Sequence, residues 1–172
     1  MNWIAPTPPV SPDGPLVGSD RPILEGFLAW ERATLLNICS GLNGQQLATH
    51  SIPASNLTLL GLVRHMAKVE RTWFRMRANG QSLPSMYAVE LGKDADFDDL
   101  NPETAEADFD RYVTECRLAD AAVAGLDFDD EFDVHGEPHS LRLIYVHMIA
   151  EYSRHNGHAD LLREAIDGAT GR

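Results

Sequence analysis

Apolar residues recur at three- and four-residue steps in four stretches of this chain, separated by glycines, prolines and an acidic run. That spacing puts the apolar side chains on one face and predicts four amphipathic helices. The first starts with Asp20 as N-cap and runs to about residue 42 along Leu24, Phe27, Leu28, Leu35, Ile38 and Leu42, with Gly41 and Gly44 at its end. The second, capped by Ser55 or Asn56, carries Leu62, Met66, Val69, Trp73 and Met76 on one stripe and stops at Asn79-Gly80. Asn101-Pro102-Glu103 opens the third, whose stripe is Phe109, Tyr112, Val113, Cys116, Ala119 and Val123. The fourth runs from about residue 140 to 166 over Leu141, Ile144, Tyr145, Met148, Tyr152, Ala159 and Leu162, with Gly168 past its end.

Between these stretches, residues 80–100 form a loop longer than a typical connection. Residues 126–138 alternate briefly (Phe128, Phe132, Val134) and predict a hairpin or an irregular acidic crossover. Five prolines before residue 16 exclude a helix or a central strand from residues 1–19, which leaves a disordered tail or an extended arm packing through Trp3 and Ile4. Four amphipathic helices without a convincing sheet make an all-α four-helix bundle. Its organisation is an arm (1–19), a bundle domain (20–168) and a C-terminal tail (169–172).

Charge narrows the partners. The net charge is -12, and residues 90–133 hold 16 acids against only Lys93, Arg111 and Arg117. The expectation for this block is a solvated loop and helix face. An acidic chain with no basic patch argues against nucleic acid and anionic membrane as partners. No apolar run is as long as a membrane span, and the N-terminus lacks a basic-then-apolar signal pattern. Cys39 and Cys116 both fall on apolar stripes, so reduced, buried thiols in a cytoplasmic protein are expected, with a disulfide between them left open.

The fourth helix carries the candidate chemistry. At about 100° per residue, His155 lies about 20° and Glu151 about 60° from Met148, both on the buried side, whereas His158 is at the edge and His147 off the core face. A carboxylate and an imidazole one turn apart can grip one cation from the same side. A third ligand must come from a facing helix, and His65, about 60° from Leu62 on the second helix, is the histidine placed to supply it. Two histidines and a glutamate form a catalytic zinc set with an open position, and nickel, iron or manganese suit it too. Against this stand two structural explanations of a buried Glu151: an ion pair with Arg64 or Arg71, or a hydrogen bond to Tyr145. Asn156-Gly157 in mid-helix costs about 1 kcal/mol against alanine and points to a close contact or a site there.

Two segments carry a likeness to a known family. Gly61-Leu62-Val63-Arg64-His65-Met66, with Glu70 and Trp73, and the run from Glu151-Tyr152-Ser153-Arg154-His155-Asn156-Gly157-His158 to Glu164 resemble the DinB/YfiT-like superfamily. The likeness is closest to an actinobacterial branch related to the N-terminal domain of the mycothiol-dependent maleylpyruvate isomerase. It implies a four-helix bundle with a long crossover connection, often dimeric. It also implies a divalent metal site that takes one histidine from the second helix, matching His65, and two groups from the fourth, matching Glu151 and His155.

By that resemblance the expected function is metal-dependent activation of a low-molecular-weight thiol or of water, as in a thiol S-transferase, isomerase or hydrolase. Zinc is the first expectation for the metal and mycothiol for the thiol. Arg154, His158 and Tyr152 are candidates for orienting ligands or touching substrate. The alternative is a non-catalytic metal-binding or stress-related bundle. A homodimer is expected, because Trp3, Ile4, Phe27 and Trp30 are more large side chains than a small bundle needs inside.

Overall fold

The computed structural model describes residues 3–9, 14–87, 90, 92 and 94–170. Helix α1 spans Asp20–Cys39, α2 Gly44–Leu47 and α3 Leu59–Glu70, which continues as a π-helical segment over Arg71–Ala78. Next come α4 (Ala95–Asp98), a 3-10 turn (Pro102–Thr104) and α5 (Ala105–Val123). A hairpin of β1 (Glu131–Val134) and β2 (Glu137–Ser140) leads into α6, Leu141–Asp167. The four long helices form the all-α bundle, in which α1 packs on α6 and α3 on α5. No helix among the described residues is long and apolar enough to cross a membrane.

Helix ends follow local chemistry. Thr58, rather than Ser55 or Asn56, caps α3 through its hydroxyl on the Gly61 amide. The Ser140 hydroxyl caps α6, and Gly168, at φ 77°, closes it in the left-handed conformation. Asp20 lies one residue inside α1, where it meets Arg142 rather than capping the helix. The hairpin turns at His135 and Gly136, both at positive φ (58° and 88°), the requirement of a two-residue type I′ turn.

The predicted stripe of α6 is buried at every position. In the second helix the prediction fails after Glu70. Phe74 and Ala78 are buried there, and Met76 is exposed. The cause is the π-helical turn: each residue advances by less than in an α-helix, so Phe74 and Ala78 stay over the core and Trp73 and Arg77 move to its flank. The Asn79 amide bonds the Phe74 carbonyl five residues back, as this winding requires. Phe27 and Val113, also predicted inside, lie on exposed faces of α1 and α5.

The acidic block is not simply a solvated face. Asp96, Asp108 and Glu115 are buried. They take cations from one row on α3 and its π-helical extension: Lys68 on Asp96, Arg64 on Asp108, and Arg71 with Arg75 on Glu115. Residues 64, 68, 71 and 75 recur at helical spacing, so they line one side of that helix and draw the acids of α4 and α5 inward. Burial alone would raise the Glu115 pKa, but the hydrogen bonds from Arg71 and Arg75 outweigh it and hold the carboxyl below its ordinary range.

Near the N-terminus, the Ala5 amide and carbonyl pair with Leu42 and Gly41, and Trp3 meets Phe109 edge-on at 5.0 Å. Cys39 is buried, Cys116 is partly buried, and both are free thiols.

Candidate metal centre

His65 reaches from α3 across to Glu151 and His155 on α6. One ligand atom from each lies within 4.8 Å of the other two. Glu151 Oε1 is 3.2 Å from His155 Nε2 and 3.8 Å from His65 Nε2, and the two imidazole rings are 4.8 Å apart. Ligands about 2.0–2.1 Å from a shared ion in tetrahedral geometry lie about 3.3 Å apart, so small side-chain shifts suffice to close the set on a cation. Two imidazoles and one carboxylate fit a divalent metal in donor type as well. The side chains keep 19%, 18% and 12% of their surface exposed, which leaves one side of the group open to solvent.

Each histidine is held from behind. Asp96 Oδ2 accepts from His65 Nδ1 at 2.7 Å, which turns Nε2 toward Glu151. Burial favours the neutral acid, but hydrogen bonds from His65 and Lys68 outweigh it, so Asp96 stays a carboxylate below its ordinary pKa. A carboxylate behind an imidazole fixes its tautomer and raises its basicity toward a metal. Asp96 comes near because Gly61 lets α4 close on α3: a Cβ on Gly61 would stand 2.8 Å from the Phe97 ring. On the other side, His155 Nδ1 lies 3.4 Å from His158 Nδ1. Burial, then the neighbouring His65, push the His155 pKa below 6.5, so its ring is neutral at pH 7 and has a lone pair to give.

The structural alternatives for Glu151 are not formed. Arg64 binds Asp108 and Arg71 binds Glu115, while Tyr145 packs its ring on Phe74 and Phe128. Apart from the two histidines, Glu151 meets Arg154 at 3.3 Å, a side chain 66% exposed. Of the other candidates, His158 adjoins the triad, whereas Tyr152 is fully buried elsewhere. Its hydroxyl donates to Glu70 Oε1 at 2.7 Å and lies 3.0 Å from the Tyr112 hydroxyl. Gly157 answers no close contact, since a Cβ there would meet nothing within 4 Å. Its neighbour Asn156 is the buried one, donating to the Glu31 carboxylate at 2.6 Å.

Asp96 is the residue that sequence reasoning missed. It sits among Asp94, Asp98 and Asp99 in a stretch with no apolar periodicity, and no local signal separates it from them. Asp96→Asn should weaken binding of a divalent cation by about 10–100-fold, the usual effect of losing a supporting carboxylate. Competition against a chromophoric chelator measures this, and unchanged affinity would mean that Asp96 merely clamps Lys68.

Comparison with known proteins bears on what such a centre serves. No curated protein and no solved structure matches the chain. Residues 23–168, which include all three triad positions, match the family model described as Mycothiol-S-transferase. The chain belongs to the mycothiol S-transferase family.

Proposed function

We propose that this protein is a metal-dependent thiol S-transferase that joins mycothiol to a small electrophile, with a divalent cation, zinc first, held by His65, Glu151 and His155. The observation that carries the reading is the convergence of these three groups, backed by Asp96, in a chain of this family. A cation held there would lower the pKa of a bound thiol, so that the thiolate is present at neutral pH.

The chain's own residues prepare that step. Asp96 and His158 fix the two imidazoles so that each presents Nε2, and Arg154 braces the second carboxylate oxygen of Glu151. The sulfur must come from a co-substrate, because neither cysteine is fit to react. Cys39 is sealed in the core with its pKa pushed up to about 12 by burial, and burial raises that of Cys116 as well.

We further read the protein as cytoplasmic, with residues 1–19 as an arm on the 20–168 bundle and 169–172 as a tail. It forms a homodimer through the exposed face that carries Leu16, Phe27 and Trp30.

Elemental analysis followed by a conjugation assay tests the reading. Purified protein should carry about one divalent ion per chain, and metal removal should slow mycothiol conjugation about 100-fold or more, with recovery on adding zinc back. Conjugation that ignores chelation would remove the metal from the mechanism. A metal-loaded protein that conjugates nothing would leave the non-catalytic metal-binding bundle as the reading.

A further inference from the structure

The facing sides of α3 and α6 carry polar and aromatic groups beyond the triad. The two helices run antiparallel, so moving from His65 toward the π-helical segment means moving from His155 back toward His147. There the Trp73 ring meets His147 at 4.2 Å and His139 of β2 at 6.4 Å. The Arg77 guanidinium lies 4.0 Å over the same indole, with one Nη 3.1 Å from His135 Nε2 at the hairpin tip.

Arg77 differs from the other arginines of this region. Arg32, Arg64, Arg71 and Arg75 each grip a carboxylate. Arg77 is half-buried, yet it has no carboxylate partner among the described residues of a chain whose net charge is -12. Desolvation without a compensating acid lowers its pKa, in keeping with that geometry. Its bond to His135 occupies one of five N–H donors, and the planar fork that remains matches a carboxylate. The Trp73 face restrains the guanidinium and spares it part of the usual entropy cost.

We propose that Arg77, set on Trp73 and flanked by His135, His139 and His147, is a carboxylate-binding subsite that selects electrophiles carrying a carboxylate. The assignment of an electrophile rests on the transferase reading, but the subsite itself does not. His147 lies one turn from Glu151, about 6 Å along the helix axis. Arg77 stands beyond His147, across the Trp73 ring. A molecule long enough to cross that ring could lay its carboxylate on Arg77 and its reactive carbon beside the triad. The π-helical winding creates this placement: in a continuous α-helix Trp73 and Arg77 would fall toward the core stripe instead of its flank.

The test is binding of two unreactive probes of one shape, 3-nitrobenzoate and 3-nitrobenzamide, to the full-length metal-loaded protein by calorimetry. The wild type should bind the benzoate about tenfold more tightly than the benzamide, the scale of one charge-assisted pair in a half-exposed site. In Arg77→Gln the two affinities should become nearly equal, and Arg77→Lys should keep part of the preference because it keeps the charge but not the fork. Equal affinities in the wild type would overturn the proposal. So would a benzoate preference that survives in Arg77→Gln, since the carboxylate would then be sitting on the metal. Because binding is read without turnover, a protein that transfers no thiol can still confirm or refute the subsite. Unchanged thermal unfolding of Arg77→Gln shows that any loss is local.

Discussion

Glu151→Gln is expected to abolish the divalent-metal binding proposed for the triad while the bundle stays folded. Glutamine keeps the shape of the side chain but supplies neither the charge that offsets the cation nor an equally strong donor. Metal affinity should therefore fall by more than the roughly 10–100-fold cost of a supporting residue. The fold has little reason to follow. The core comes from four apolar stripes, and the cation left behind would be Arg154, 66% exposed. Surface pairs of that kind contribute about 0–1 kcal/mol, so the metal-stripped variant should melt within about 4 °C of the metal-stripped wild type. If the stripped variant instead melts far below the stripped wild type, Glu151 is a structural anchor, and the transferase reading loses its metal.

The largest loss of stability should come from Glu70→Gln, deep in the bundle. Glu70 is fully buried and accepts from Arg32 Nε and Nη2 at 2.7 Å each and from the Tyr152 hydroxyl at 2.7 Å. Desolvation alone would lower the Arg32 pKa, but Glu70 reverses this and holds the guanidinium charged. Its other carboxylate, Asp120, lies at the exposed rim and cannot replace Glu70. A neutral amide leaves a half-compensated buried charge, which costs about 3–5 kcal/mol. In a chain of this size that lowers the melting temperature by about 6–20 °C. The double change Arg32→Met with Glu70→Leu should recover much of the loss, because apolar residues of similar volume need no partner. A single-variant loss under about 1 kcal/mol in urea unfolding would show that water reaches Glu70 and that the network is not sealed.

These expectations show where sequence was informative. Helix α6 could be read almost residue by residue, because its stripe keeps the α-helical period and both ends carry capping chemistry. The same period puts His155 and Glu151 on the core side of α6, and the need for a facing ligand points to His65. Beyond Glu70 the 100° period no longer locates the core, because a π-helical turn breaks the step without a proline or glycine to announce it. Phe74 and Met76 exchanged roles for that reason alone. The sequence offers Arg64 and Arg71 as partners for Glu151, but the acids that the cations at 64, 68, 71 and 75 actually bind lie 28 to 44 residues onward. Only tertiary packing tells Asp96, Asp108 and Glu115 from their solvated neighbours.

Those partners tie the loop to the proposed metal site. Asp96 reaches His65 only while Ala95–Asp98 is seated on α3 through Arg64, Lys68 and the cleft at Gly61. Seating and metal affinity are then one linked equilibrium, and each must favour the other by the same factor. Amide hydrogens around Ala95–Asp98 should exchange more slowly in the metal-bound protein by that factor, so the loop reports whether the centre is filled.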